Sequence, residues 1–203
     1  LKAAKAAGGA NSIAIIGGAR GTNEDAYLWS RLGHEVIGTP NVYAQMGDGL
    51  PADLLLQPRA TIDQAAKATT IVLLAPDLKE ELPVLYLRLR AAAEKKRSRI
   101  IEFTPKHSGL SRYAWRSIGY EPGTQQAVVQ KALADPEIAA QIAKGDVVVV
   151  AGRANLAETS TATVRAIEAV LGAAPGATVL PAFRRGNVVG ALQVGMRTAE
   201  GGL

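Results

Sequence analysis

The residues in this chain able to do chemistry gather at glycine turns. Gly17-Gly18-Ala19-Arg20-Gly21 follows the β-branched run Ser12 to Ile16 and precedes Thr22, Asn23, Glu24 and Asp25. A strand, a glycine turn and a helix start in that order leave backbone N–H groups pointing at whatever lies above the sheet, which is anion-binding chemistry. Arg20 in the turn and Arg153, just after the run Asp146 to Ala151, add guanidinium forks suited to phosphate. The turn matches neither G-x-G-x-x-G nor G-x-x-x-x-G-K-[ST], so a plain structural turn stands beside the anion site as a reading of the same residues.

Other chemistries are excluded by composition. The 203 residues contain no cysteine, which rules out disulfides, iron-sulfur ligation and thiolate catalysis within this segment. His34 and His107 are the only histidines, too few and too far apart for a zinc site, and no metal site is expected. No catalytic residue stands out.

A net charge of +5 and a pI near 9.6 raise the question of nucleic acid, but only 4% of residues are aromatic and no recognition motif occurs, so no nucleic-acid partner is expected. The positive charge is local. Arg88, Arg90, Lys95, Lys96, Arg97, Arg99, Lys106, Arg112 and Arg116 crowd one section, which can face an acidic partner, phosphates or water. The longest apolar runs, Ile71 to Ala75 and Val147 to Ala151, are strand-length, so no direct membrane insertion is expected, and no export signal follows Leu1.

The elements that must position these turns follow from periodicity. Leu1 to Ala10 reads as a linker or the tail of a preceding segment, and residues 11–203 as one α/β domain. Ser12 to Ile16 predicts a strand and Thr22 onward a helix that Gly33 or Gly38 stops; Asn41 to Pro58 predicts a long irregular connection. Thr61 to Lys67 predicts a short helix, Thr70 to Ala75 a buried strand, Glu80 to Lys96 one long helix and Arg99 to Phe103 a strand. Thr104 to Gly123 is expected to be irregular, packed down by Tyr113 and Trp115. Helices at 124–134 and 136–144, a strand at 146–151, a helix at 158–171 and a weaker strand at 177–180 follow. Arg184 to Met196 reads as a loop with a short strand.

Repeated strand-then-helix units predict an open, mostly parallel, Rossmann-like sheet with helices on both faces. Its strand ends at Gly17 to Gly21, Ala75 to Leu78, Phe103 to Lys106 and Ala151 to Asn155 should line one edge, where any ligand belongs.

GTNEDAYLWSRL followed by IGTPNV resembles the helix and G-T-x-N turn of the molybdopterin oxidoreductase superfamily. GDGLP, GRANLAE and FRRGNVVGALQVGM resemble the large iron-sulfur subunits of bacterial respiratory complex I, in their actinobacterial form. The resemblance implies a C-terminal piece of such a subunit, a structural and docking domain with no redox centre of its own. Iron-sulfur clusters would lie in an N-terminal part absent here, the partners would be other subunits of the complex's peripheral arm, and the location the cytoplasmic side of the plasma membrane.

Superfamily members that hold molybdopterin guanine dinucleotide use a G-x-N-P-type turn and a later D-P-R-type turn. The matching positions here read Ala75-Pro76-Asp77 and Thr104-Pro105-Lys106. Pro76 removes an N–H donor, Asp77 sets a carboxylate where a pyrophosphate would lie, and Thr104 lacks the bidentate acceptor for a guanine edge. The expected site, Gly17, Gly18, Arg20, Gly21, Asp77 and Arg153, is therefore vestigial, with Asp77 pairing with Arg20 or Arg153 and molybdopterin not bound. The alternative is a domain that still takes this or another nucleotide through Arg20 and Arg153. An unrelated Rossmann-like domain with an unknown ligand is the third reading.

Overall fold

In the computed structural model, which describes residues 1–45, 54 and 57–196, the opening strand, turn and helix form in a sheet of their own. Lys2–Gly8 is a helix (α1), Ile15–Gly18 a strand (β1) and Asn23–Arg31 a second helix (α2). The expected linker is thus helical, as its alanines and lysines favour, although none of α1 is buried. The strand starts later than Ser12 because Ala10–Ser12 coil into a 3-10 turn in which Ser12 Oγ donates to the Gly9 carbonyl at 2.8 Å.

Thr22 caps α2, with a reciprocal bond from the Thr22 N–H to Asp25. A π-helical turn, Leu32–Ile37, extends α2 through Gly33 until Gly38, at φ 80°, ends it. Val42–Gln45 then adds a parallel strand (β2) beside β1, inside the stretch expected to be irregular. Ile13, Ile15, Val42 and Ala44 pack with Ala26 and Ile37 on one face of this two-stranded sheet.

The second sheet has five parallel strands. After Ile62–Ala65 (α3), these are Thr70–Leu74 (β3), Arg99–Thr104 (β4), Arg116–Gly119 (β5), Val147–Ala151 (β6) and Thr178–Pro181 (β7), in the spatial order β5-β4-β3-β6-β7. Every residue of β3 and β6 is buried, as strands covered on both faces must be. Ile71 and Leu73 pack against Leu85, Tyr86 and Leu89 of Pro83–Glu94 (α5). Their neighbours Val72 and Leu74 point the other way by the period of two. There Gln125–Leu133 (α6), Pro136–Ile142 (α7) and Ser160–Ala173 (α8) bury Val129, Ile138, Ile142, Ile167 and Val170.

Three further expectations are corrected. The single helix from Glu80 is two, Leu78–Glu81 (α4) and α5, because Pro83 pushes Leu82 out of the helical region to φ −140°, ψ 68°. β5 lies within the stretch read as irregular; its short RSIG run has no alternation to reveal it. The C-terminal tail holds a helix, Val188–Gln193 (α9), whose one glycine, Gly190, is tolerated because it packs directly onto the Asn23 and Asn187 side chains.

The four strand ends expected to line one edge are also divided. Leu1–Asp53 with Arg185–Leu203 form one compact unit and Leu54–Arg184 the other, and β1 belongs to the first.

Candidate functional site

In the five-stranded sheet, β3, β4 and β5 run one way from the centre and β6 and β7 the other, so the order reverses between β3 and β6. The carboxyl ends of those two strands are where an open α/β sheet holds a ligand. Ala75-Pro76-Asp77 follows β3 and Gly152-Arg153-Ala154-Asn155 follows β6. The Gly152 N–H donates to the Leu74 carbonyl at 2.8 Å, and a Cβ on Gly152 would stand 2.9 Å from Pro76 Cδ. The crevice is closed at that point by Pro76.

Both charged candidates at this edge are engaged with backbone. Asp77 caps α4 through the Lys79 N–H at 3.0 Å, and its two oxygens accept from the Gly109 N–H at 3.1 and 3.2 Å. Arg153 donates to the carbonyls of Leu156 and Glu158 at 2.9 and 3.1 Å. Asn155 Oδ1 accepts from the Ala157 and Glu158 N–H groups, so GRANLAE is a loop that closes on itself. The expected pairing of Asp77 with an arginine is not made; among the described residues Asp77 is in no ion pair. Thr104 donates its hydroxyl to the Lys106 carbonyl and so tightens the turn after β4.

Gly17, Gly18, Arg20 and Gly21 lie in the other unit. A Cβ on Gly17 would collide with the Met196 methyl, and the carbonyls of Ala19 and Gly21 accept from the Asn187 N–H and Nδ2 at 2.8 and 3.0 Å. The glycine turn is thus packed under its own C-terminal segment. Glu24 and Asp25 place carboxylates at the start of α2, which opposes an anion there. Arg20 is exposed. The G-T-x-N turn also has a structural role, in which buried Thr39 donates to the Ile13 carbonyl at 2.6 Å and Asn41 Nδ2 to the Asn11 carbonyl at 3.0 Å. GDGLP, residues 47–51, lies outside the described residues.

Sequence reasoning missed a buried polar group beside β5 and β6. The Tyr120 hydroxyl accepts from Gln125 Nε2 at 3.2 Å and from Asn155 Nδ2 at 3.5 Å. Burial, and then the charge of Glu158, push its pKa well above the usual tyrosine range. Glu158 is 1% exposed; Oε1 accepts from the Gly123 N–H at 2.7 Å, while Oε2 and Gln125 Oε1 have no partner among the described residues. Glu102, also buried, accepts from Ser108 and Ser117. Only the place of Glu158 as the first residue of the expected helix 158–171 hinted at any of this.

No group of three or more His, Asp or Glu side chains suited to a metal occurs among the described residues, and no helix among them is long and apolar enough to cross a membrane.

Known proteins bear on the family. Acetylene hydratase from Pelobacter acetylenicus superposes with a TM-score of 0.52 at 14% identity, over 96% of this chain and 30% of that one. A chain of the formyltransferase/hydrolase complex of Methylorubrum extorquens gives 0.52 at 14% over 89% and 57%. Both likenesses are of fold alone. In sequence, the NADPH-Fe(3+) oxidoreductase subunit alpha of Geobacter sulfurreducens is 28% identical over 137 residues, 64% of this chain. That match spans 16% of the relative's length. Residues 1–171 match the profile of the molybdopterin oxidoreductases, and to that family the chain belongs.

Proposed function

We propose that the chain is a structural and docking domain of an electron-transfer subunit, the large iron-sulfur subunit of a bacterial NADH-quinone oxidoreductase, respiratory complex I. It carries no redox centre in this segment, and the clusters belong to a preceding part of the parent. Its partners are other subunits of the peripheral arm, on the cytoplasmic face of the plasma membrane. Support comes from GRANLAE and FRRGNVVGALQVGM, from the oxidoreductase family and from the absence of thiolates.

One observation carries the non-catalytic reading: at the β3–β6 switch point the ionic groups hold the protein's own backbone. Asp77 is bound to Lys79 and Gly109, Arg153 to Leu156 and Glu158, and Pro76 fills the space over Gly152. An anionic pyrophosphate at that edge would meet a carboxylate and lose an N–H donor, so these residues do not fit molybdopterin guanine dinucleotide.

The alternative, a nucleotide-binding oxidoreductase domain, has one observation in its favour. Glu158 Oε2 and Gln125 Oε1 are buried acceptors without donors among the described residues, as a donor-rich base edge would require. Titration with GDP separates the two. The docking reading expects no binding tighter than about millimolar, worth only about −4 kcal/mol, and a purified chain free of molybdenum. Micromolar, salt-resistant binding lost on Glu158→Gln, or stoichiometric molybdenum by elemental analysis, would overturn it.

A further inference from the structure

We infer that the basic end of the five-stranded unit is a docking surface for an acidic polypeptide segment. The inference rests on the docking reading but is tested on the chain itself, so the two can fail separately.

The turn from α5 into β4 and the approach to β5 bring cations together at one end of the sheet. Arg90 to Arg99 reads RAAAEKKRSR, with Glu94 its sole carboxylate. The Arg99 guanidinium lies 5.0 Å and that of Arg116 4.7 Å from the centre of the Trp115 ring. Arg90 and Arg112 lie 5.2 and 4.8 Å from the Tyr113 ring. The main chain joins the two stacks to β4, with the Trp115 N–H donating to the Ile100 carbonyl at 2.8 Å.

Part of this surface is already engaged. Arg90 pairs with Glu94, Arg116 with Glu137, and Arg99 donates to Gln141. Lys95, Lys96, Arg97 and Arg112 are exposed and in no ion pair among the described residues. A second feature concerns Lys96. Its φ of 54° is left-handed, the position where glycine is the cheapest residue, yet a lysine stands there.

Charge complementarity selects carboxylates from among the anions. Single-stranded nucleic acid binds by stacking bases on aromatic faces, and both rings here already carry guanidinium groups. Arg112, held against the Tyr113 ring and in no ion pair among the described residues, keeps its edge N–H groups for a planar, bidentate acceptor such as a carboxylate. Steering by such a patch raises encounter rates with an acidic partner and weakens with salt.

The test is fluorescence anisotropy of a labelled hexaglutamate peptide with the 203-residue chain, at low and physiological ionic strength. The triple variant Lys96→Gly, Arg97→Gln, Arg112→Gln should weaken binding by about tenfold or more without lowering the melting temperature. The variant Lys2→Gln, Lys79→Gln, Lys106→Gln removes the same charge from the other unit and from the carboxyl ends of β3 and β4, and should change it less than about twofold. If the triple variant melts early, Lys96→Gly alone, which suits the backbone, should still weaken binding measurably. No peptide binding, equal losses in the two triple variants, or tighter binding of an oligothymidylate of equal charge would each overturn the proposal.

Discussion

The two parallel sheets differ in how completely they are covered. β3 is buried at every residue, with helices over both faces, whereas in β1 Ile15 is buried and Ile16 is 68% exposed. A parallel sheet is ordinarily covered on both sides, and a two-stranded one is marginal by itself. The smaller sheet holds together by other means. Its helix is capped reciprocally, the Ala44 N–H of β2 donates to the Met196 carbonyl at 3.1 Å, and Met196 packs over Gly17. Coverage stabilises the larger sheet; a reciprocal cap, a backbone hydrogen bond and one methionine packed over a glycine stabilise the smaller one.

The widest test of that contrast uses adjacent residues in each strand. Leu73→Ala and Leu74→Ala remove side chains from opposite faces of β3, and each should cost about 2–5 kcal/mol in urea unfolding. In β1, Ile15→Ala should cost on the same order, but Ile16→Ala should stay within about 0.5 kcal/mol. A large loss at Ile16 would show that its face is covered after all.

Glycines sharpen the comparison at smaller amplitude. Gly17→Ala must displace the Met196 methyl, the far end of a flexible but buried side chain, and should cost about 1 kcal/mol, the low end of the overpacking range. Gly18→Ala meets nothing within 4 Å and should be near neutral. If both are neutral, the C-terminal segment does not close over the turn.

How much of this was legible in the sequence depends on what encoded it. β3 and β6 were, because a run such as TIVLL or VVVV between turn residues has few other stable fates. β2 and β5 were not: VYAQ and RSIG are strands only because β1 and β4 offer them an edge. The candidate site was legible as a place but not as a function. Asp77 and Arg153 stand at the ends of β3 and β6 as spacing requires, yet what each holds is set by Gly109 and by the loop 154–158, which no local pattern announces.

The buried tyrosine supplies a pH test confined to the larger unit. Tyr120 keeps its proton more tightly folded than unfolded, so above about 10, the ordinary tyrosine value, the unfolded chain releases a proton that the folded chain retains. Stability should therefore fall as pH rises from about 10 upward. Tyr120→Phe should remove that part of the decline and, by leaving Gln125 Nε2 and Asn155 Nδ2 without their acceptor, cost about 1–2 kcal/mol at neutral pH. An unchanged alkaline slope in the phenylalanine variant would place the decline on other groups.

The smallest effect compares how each unit ends a helix. The first stops its π-helical turn with Gly38 at φ 80°, the second stops α5 with Lys96 at φ 54°. At Lys96 the closure is a full Schellman motif: the Lys96 N–H donates to the Ala93 carbonyl at 2.9 Å and the Arg97 N–H to that of Ala92 at 3.1 Å. A left-handed residue with a side chain carries strain of about 1 kcal/mol that glycine avoids, offset in part by glycine's greater freedom in the unfolded chain. Gly38→Ala should therefore destabilise by about 1 kcal/mol, and Lys96→Gly should stabilise by a few tenths to about 1 kcal/mol. The opposite signs are the content of the prediction, since a general effect of glycine on this chain would push both the same way. Should Lys96→Gly destabilise instead, the lysine side chain would be contributing to the fold, and its place on the basic surface would no longer need a binding partner to explain it.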